Sequence, residues 1–344
     1  MKDSKCMGCG GSLKYSPDDK ALACENCGAK TPLPEKGFLK SKFLSADSIP
    51  DKQGEGTGSV KCISCGAILN VGEVIETTCP YCGSHQTAGL HEGLEYNPDS
   101  IIPFAISKKK ATSIFKLWIN KRKFAPNALK KKANIENMKG IYFPCWLYDY
   151  KTSTYYSGVG VKEYKDSDGN TRTTRKNISG NVAGVYTNEI EPANDMLAEY
   201  NIEMFKDYAR LEQYEYDSGY ILGFTTANNT NGVYDAFGRE RKQKTLEIEK
   251  NIKRRLGYDR YENFVTKTNF TDVKWSYTLL PLWVCDYEFK NKKYRFLING
   301  KTGAIIGKAP KSGWKIFFLI LGILIGVGAF GILAFFLETG GLPW

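Results

Sequence analysis

The sequence predicts a multidomain protein with two small β zinc ribbons, an α+β, β-rich soluble domain of two halves, and one C-terminal transmembrane helix. Three observations predict this fold class: four C-x-x-C pairs near the N-terminus, a charge-free apolar run near the C-terminus, and a Trp-containing strand pattern that occurs twice between them. The chain has 344 residues and only two histidines. Because triads and most catalytic metal sites use histidine, we do not expect an enzyme.

Eight of the ten cysteines form two quartets with the spacing of zinc ribbons. Fourteen residues separate Cys9 from Cys24, and thirteen separate Cys65 from Cys79. Two C-x-x-C pairs joined by one hairpin can place four thiolates in a tetrahedron, as structural zinc requires. We therefore expect two structural Zn²⁺ ions, one in residues 1–32 and one in residues 60–90. The expected ligands are Cys6, Cys9, Cys24, Cys27, Cys62, Cys65, Cys79 and Cys82.

A glycine directly follows the second cysteine of every pair. Glycine adopts a positive φ at little cost, so the chain can turn there and direct backbone N–H groups at the sulfur atoms. A disulfide framework is the alternative, but it needs an oxidising compartment, and no secretory signal is seen. A redox role would need a βαβ context that the sequence lacks. His85 is a further candidate ligand, which a four-cysteine site does not need.

The segment 33–59 between the ribbons is predicted to be a flexible linker. Its last nine residues, Asp51–Ser59, are polar and rich in glycine. Such composition gives a flexible coil. We therefore expect the two ribbons to move semi-independently.

The apolar run Ile316–Leu337 contains 22 residues and no charge. A helix of this length spans about 33 Å, enough for a hydrocarbon core of about 30 Å. Three lysines precede the run and only Glu338 follows it, so the positive-inside rule places residues 1–315 in the cytoplasm and the tail 338–344 outside. We expect a single-pass protein of the cell membrane. Gly322 and Gly326 form a G-x-x-x-G motif that could support homo-association.

Residues 100–310 are predicted to form the β-rich cytoplasmic domain. The pattern apolar-Pro-x-Trp-aliphatic-x-Asp-Tyr occurs at Phe143–Tyr150 and again at Leu280–Tyr287. We interpret the two copies as equivalent strands of two β halves, each with proline at its start and a tryptophan in the core. Elsewhere, the sequence predicts an edge strand at 101–104, a helix at 107–124, hairpins near 166–170 and 299–300, and a helix at 233–256 that ends at Gly257.

A few side chains leave a ligand-binding or enzymatic function open as an alternative. Asp149 and Asp286 occupy matching positions of the repeat and could form a carboxylate pair, although hydrogen bonding at a strand end or pairing with lysine is favoured. Cys145 and Cys285 lie in apolar runs, where buried inert thiols are the rule.

The positive charge of the chain, +11 in total, does not lie in the ribbons. Residues 1–30 carry a net charge of +1 and residues 60–90 a net charge of −1. Proteins that grip phosphates need lysine and arginine, so these ribbons disfavour nucleic acid as a partner. Residues 101–140 carry +10 and residues 261–315 carry +6. We hypothesise that this basic surface contacts anionic lipids of the inner leaflet.

The chain resembles bacterial membrane proteins of the YdjG type, which contain TFIIB-type zinc ribbons. The resemblance covers most of the chain and implies N-terminal C-x-x-C-G ribbons, a soluble β-rich region and a C-terminal span. It also implies SPFH/flotillin-like and phage-shock-protein-A-like partners. The motifs that carry it, beside the ribbons, are Ile102–Phe104, Trp118, Phe124–Pro126, Tyr142–Leu147, Gly219–Phe224 and Leu280–Trp283.

The resemblance leads us to expect a membrane-anchored zinc-ribbon adaptor. It would bind and recruit such partner proteins at the cytoplasmic face, in envelope stress. The alternative is a membrane-tethered nucleic-acid-binding protein with a role in transcription or replication.

Overall fold

The structure is a computed structural model, and its chain divides into two compact units. The first unit comprises residues 1–107, 140–282 and 300–302, and the second comprises residues 108–139, 283–299 and 303–344. The described residues are 5–34, 41–44, 59–61, 68–70, 74–75, 98–127, 138–194, 208, 212–227, 229–289, 292–307 and 309–338.

A small antiparallel sheet lies at the N-terminus. It contains β1 (Leu13–Ser16), β2 (Ala21–Cys24) and β3 (Lys30–Pro32), in the order β1-β2-β3. Leu13 and Tyr15 alternate with half-exposed residues along β1, so one face of this sheet is apolar and buried. This is the first of the two predicted ribbons.

A large sheet forms the body of the first unit. Its described strands follow the order β11-β8-β13-β9-β12-β7, with β10 paired to β9 and β4 paired to β13, and β5 and β6 form a separate antiparallel pair. The strand bounds are β4 (Lys42–Phe43), β5 (Ser59–Lys61), β6 (Ile68–Asn70), β7 (Val74–Ile75), β8 (Ser100–Ile101), β9 (Lys139–Lys165), β10 (Thr171–Pro192), β11 (Tyr214–Glu215), β12 (Thr225–Ala227) and β13 (Arg260–Phe289).

Three of these strands are unusually long. Strands β9 and β10 form a hairpin whose turn is closed by Asp166, which accepts hydrogen bonds from the backbone amides of Asp168 and Asn170. Strand β13 lies beside β9. The Thr154 and Thr268 hydroxyls hydrogen bond at 2.9 Å, and the Gly158 position faces the Cα of Phe264, so the two strands run antiparallel. The two copies of the repeat therefore lie on neighbouring strands, β9 and β13, of one sheet.

A long helix, α2 in chain order (Val233–Leu256), packs against β10. It ends at Gly257, which has φ 66° and donates its amide to the carbonyl of Lys253. This left-handed C-terminal residue confirms the predicted helix end. Beneath the helix, Trp146 from the first repeat copy packs edge-on against Trp275, with ring centroids 5.4 Å apart. Trp146 is fully buried, as expected for a core residue.

The second unit contains two helices, a hairpin and the last residues of β13. The helices and the strands of the hairpin are α1 (Lys108–Lys121), β14 (Lys292–Asn299), β15 (Ile305–Gly307) and α3 (Gly313–Glu338). Helix α1 buries Ala111, Phe115 and Ile119 on one face, and Phe115 stacks on Phe296 of β14 with ring centroids 4.0 Å apart. The apolar periodicity of α1 and the hairpin turn near Asn299 agree with the sequence-based expectation.

Some expectations differ from the structure. In place of an edge strand at 101–104, the chain has the two-residue interior strand β8, which pairs with β11 on one side and with β13 on the other. Pro144 and Pro281 lie inside long strands and not at strand starts. The carbonyl of Pro144 accepts a hydrogen bond from Ala193, so the backbone there remains paired in spite of the missing N–H. Within the predicted linker, β4 pairs with β13, joining Phe43 to Lys274.

Candidate metal centre

Four cysteines of the N-terminal sheet meet at one point. The sulfur atoms of Cys6, Cys9, Cys24 and Cys27 all lie within 4.8 Å of one another. Cys6 and Cys27 are 3.6 Å apart, and Cys9 and Cys24 are 3.5 Å apart. A tetrahedral site with metal–sulfur bonds of about 2.3 Å has sulfur atoms about 3.8 Å apart, so this cluster has the dimensions to hold one metal ion.

The two cysteine turns that form the cluster have the same backbone geometry. In the first, the Gly10 amide donates to the carbonyl of Cys6 at 2.8 Å, and in the second, the Gly28 amide donates to the carbonyl of Cys24 at 3.1 Å. Gly10 has φ 69° and Gly28 has φ 74°. Both glycines therefore have the left-handed conformation expected after the second cysteine of each pair.

Backbone N–H groups favour the thiolate form in this cluster. The amides of Gly8 and Cys9 lower the pKa of Cys6, and those of Cys27 and Asn26 lower the pKa of Cys24 to about 6. The amide of Ala29 bonds to Cys27, but the neighbouring thiols outweigh it and raise the pKa of Cys27 to about 12. Four sulfurs this close repel one another when ionised, and a bound cation would remove that repulsion.

This ribbon is joined to the large β domain of the same unit. The Tyr15 amide donates to the carbonyl of Leu222 at 2.9 Å, and the Tyr15 ring packs edge-on against Tyr220 at 5.2 Å. Leu33 is buried against Gly219. A Cβ atom at position 219 would lie 2.6 Å from the Leu33 side chain, so the contact needs glycine there. The expectation of semi-independent movement is therefore wrong for the first ribbon, because its apolar face is buried against the domain.

The second cysteine quartet, Cys62, Cys65, Cys79 and Cys82, lies outside the described residues, as do Gly66, Gly83 and His85. The strands that flank its first pair are described. Lys61 of β5 pairs with Ile68 of β6. In the first ribbon, Lys5 pairs with Ser12 around Cys6 and Cys9, and Ala23 pairs with Lys30 around Cys24 and Cys27. In all three cases the residue directly before the first cysteine of a C-x-x-C pair is paired with the third residue after the second cysteine.

The other candidate side chains have structural surroundings. Cys145 and Cys285 are almost completely buried, and burial raises the pKa of Cys145 well above that of a free thiol. Asp149 accepts a hydrogen bond of 2.8 Å from the amide of Asn188, a residue with φ 55° at the bulge of β10. The role of Asp149 is thus hydrogen bonding to the backbone, as favoured, but it lies inside β9 and not at a strand end. The side chain of Asp286 lies outside the described residues.

A buried charged cluster beneath α2 was missed by sequence reasoning. Glu191 of β10 is 2% exposed, and its Oε2 lies 3.5 Å from Arg239. Lys244 is 5% exposed and contacts Glu189 at 3.0 Å and Glu247 at 3.1 Å. In the sequence, Arg239, Lys244 and Glu247 have the spacing of a helix face exposed to solvent. Only the packing of α2 on β10 shows that this part of the helix is buried.

Helix α3 has the length and composition of a membrane span. Its segment Gly313–Ile332 has a mean hydropathy of 2.4, and none of it is buried within the chain. Core helices of soluble proteins pass the same test of hydropathy but are mostly buried, so the exposed apolar side chains favour association with a membrane. Gly322 and Gly326 face open space on this helix.

The comparisons with known proteins agree with a distant relationship. The chain is similar to the uncharacterized protein YdjG of Bacillus subtilis (strain 168), with 23% identity over 316 residues, which cover 91% of each chain. No family model matches the chain, and no solved structure matches it. The similarity therefore extends over most of the chain.

Proposed function

We propose that the chain is a membrane-anchored zinc-ribbon adaptor that recruits partner proteins to the membrane surface. The observation that carries this proposal is the orientation of the first ribbon. Its apolar side chains Leu13, Tyr15 and Leu33 are buried, whereas Cys9 and Cys27 of the cysteine turns are exposed. A closed four-cysteine site has no open coordination position, so its role is to hold these turns in shape and not to catalyse a reaction.

The tip of the first cysteine turn offers a contact surface for a protein partner. Met7 is 96% exposed, beside the exposed residues Gly8 and Cys9. The second turn adds exposed Glu25 and Asn26. Methionine is common at adaptable protein-binding surfaces because its side chain is flexible and polarizable. An exposed methionine on a rigid, metal-stapled turn therefore suits recognition of an apolar pocket on a partner.

Zinc fits this donor set best, and we propose one ion per ribbon. Four thiolates at tetrahedral spacing are typical of structural zinc. The shared register around Cys6, Cys24 and Cys62 supports a second ribbon at residues 60–90 that is built in the same way. Cys79 and Cys82 would complete its ligand set.

Charge pairing in the first ribbon favours a protein partner over nucleic acid. Lys14 forms an ion pair of 2.5 Å with Glu25, and Lys30 forms one of 2.5 Å with Asp19. These lysines have acidic partners that would compete with phosphate, and counterion release needs cationic groups that reach the backbone of the nucleic acid. Nucleic-acid binding by residues 1–90 is the second candidate function. The paired lysines of the first ribbon do not favour it.

The anchor of this proposed adaptor is α3, with residues 1–315 in the cytoplasm and the tail 338–344 outside. The lysines on the N-terminal side of the apolar run support this orientation, because positive charge is retained on the cytoplasmic side. A cytoplasmic location also keeps thiols reduced for zinc binding. The resemblance implies SPFH-type scaffold proteins and phage-shock-protein-A-like proteins as the partners that the chain would recruit there. Association of two copies through Gly322 and Gly326 is compatible with this arrangement.

The proposal is tested by affinity purification of the tagged chain from nuclease-treated, detergent-solubilised membranes. Met7→Glu should remove partners without touching a metal ligand, whereas Cys62→Ser with Cys65→Ser tests the second ribbon separately. Tyr155→Glu, at an exposed aromatic residue of β9, is the matched control that adds the same charge elsewhere. Retention of every partner by both ribbon variants would refute the adaptor role of the ribbons. Recovery of polymerase or replication proteins alone would favour the second candidate.

A further inference from the structure

The second unit places a strongly basic helix at the entrance to the apolar helix α3. Residues 108–123 contain seven lysine or arginine residues and no acidic residue. Folding does not require this charge, because three lysines in the first turn of α1 oppose the helix dipole. These lysines therefore do not serve the stability of α1 itself, and a basic surface of this kind attracts anionic groups. The basic residues are Lys108, Lys109, Lys110, Lys116, Lys121, Arg122 and Lys123.

Hydrogen bonds fix the end of α1 to the start of α3. The Lys315 ammonium donates to the carbonyl of Ala125 at 2.8 Å and to the side-chain oxygen of Asn127 at 2.9 Å. The Ser312 amide donates to the carbonyl of Phe124 at 2.8 Å. Lys315 directly precedes the apolar run that starts at Ile316. The loop after α1 therefore lies within one side chain's length of the point where hydrocarbon would begin.

The exposed face of α1 combines positive charge with an apolar residue. Phe115 and Ile119 hold the opposite face against the hairpin, which leaves Leu117 63% exposed between Lys116 and Lys121. Phe124, in the loop, is 38% exposed. On a face of this kind the lysines can contact lipid headgroups, and the large apolar residues beside them can enter the boundary region of a bilayer.

We propose that this surface, α1 with the loop 122–124, binds the headgroups of anionic phospholipids in the bilayer that α3 enters. The inference rests on the proposed membrane anchoring. Nucleic acid would also suit the charge, but it would not account for the attachment of the loop to the start of α3. Each basic residue held near an anionic leaflet gains attraction, and α3 holds these residues there permanently.

The test uses the full chain in nanodiscs made from phosphatidylcholine and phosphatidylglycerol at seven to three. Native mass spectrometry then counts the lipids that remain bound to the protein. Wild type should retain phosphatidylglycerol at roughly threefold its bulk share. The triple variant Lys116→Gln, Lys121→Gln and Lys123→Gln should fall to the bulk share. Leu117→Ser, a separate variant at an exposed site, should lower retention without a change in charge.

A matched control removes three lysines from the first unit, Lys165→Gln, Lys176→Gln and Lys242→Gln, all at exposed positions. It should retain phosphatidylglycerol as wild type does. Equal retention by wild type and the α1 variant, or equal loss in the control, would overturn the inference. So would wild type that binds duplex DNA through these lysines but shows no lipid preference. Failure of the chain to enter nanodiscs at all would instead contradict the proposed membrane anchoring. The experiment therefore distinguishes failure of the anchoring from failure of the lipid inference.

Discussion

The backbone amide of Tyr15 donates a hydrogen bond to the carbonyl oxygen of Leu222 at 2.9 Å. These residues lie more than two hundred positions apart, yet the bond joins a strand of the small cysteine-containing sheet to the turn after the 3₁₀ helix Ser218–Ile221. The Tyr15 hydroxyl adds a bond of 3.3 Å to the carbonyl of Phe104. The small sheet is therefore an extension of the β domain, and its cysteine turns are held in a defined direction.

Replacement of Tyr15 should loosen the ribbon from the domain. Tyr15→Ala removes a ring that is 5% exposed and packs against Tyr220, which should cost about 3 kcal/mol of stability. We expect a lower denaturation midpoint and faster proteolysis within residues 33–44. Tyr155→Ala, at a residue that is 49% exposed, is the control and should change stability by less than about 0.5 kcal/mol. Equal effects of the two substitutions would show that Tyr15 does not dock the ribbon.

The metal content of the purified chain should distinguish one ribbon from two. We expect two zinc ions per chain by inductively coupled plasma mass spectrometry. Cys6→Ser with Cys9→Ser should remove one ion, and Cys62→Ser with Cys65→Ser should remove the other. Cys145→Ser is the control, since that thiol is not a member of the cluster. A wild-type chain with a single ion, lost only with Cys6 and Cys9, would contradict the second site.

Local signals in the sequence predicted individual elements well. Gly257 ends α2 where expected, the turn after Asp166 closes the β9–β10 hairpin, and the four-cysteine cluster has the predicted members. In each case a few neighbouring residues determine the local backbone or donor set, so the pattern is visible in one short window.

Long-range packing could not be predicted from the same windows. The contact of Tyr15 with Leu222 depends on a surface formed by distant residues. The placement of β8 between β11 and β13 depends on strand pairing, and the apolar run at 101–104 is compatible with an edge strand or an interior one. Glu240 and Lys244 have the spacing of a solvated helix face, and their burial follows only from the docking of α2. These differences reflect tertiary context that local patterns do not contain.

Substitution of Asp149 should separate a structural role from a chemical one. Asp149→Asn keeps a side-chain oxygen that can accept from the Asn188 amide, so stability should change by less than about 0.5 kcal/mol. Asp149→Ala leaves that amide without its acceptor and should cost about 1–2 kcal/mol. Urea denaturation of the detergent-solubilised chain measures both. If Asn is as destabilising as Ala, the carboxylate charge itself is required, and the carboxylate-pair hypothesis would regain support.

The stability of the chain should decrease as pH rises through neutrality, because of Glu191. Burial and, to a smaller extent, the negative charge of Glu240 raise the pKa of Glu191 to about 7. The neighbouring Arg239 partly opposes this shift. The buried Oε1 of Glu191 has no hydrogen-bond partner among the described residues, which suits a protonated carboxyl. In the unfolded chain the pKa of a glutamate is about 4.3, so the folded state binds more protons between these two values.

The stabilisation from a protonated Glu191 is therefore complete below about pH 4.5 and is lost as pH rises through about 7. Its full size is on the order of 3 kcal/mol. Burial also raises the pKa of Glu240, which adds to the loss of stability as pH rises. Burial lowers the pKa of Lys244, but Glu189 and Glu240 outweigh it and raise that pKa, so Lys244 stays charged across this pH range.

Denaturation midpoints at pH 5, 6, 7 and 8 test this prediction. The Glu191→Gln variant lacks an ionisable group at this position. Most of the decrease in its denaturation midpoint between pH 5 and pH 8 should therefore disappear. Glu215→Gln, at an exposed position, should keep the wild-type profile. A Glu191→Gln profile that falls as steeply as the wild type would show that other groups control the pH dependence, and that Glu191 is ionised throughout.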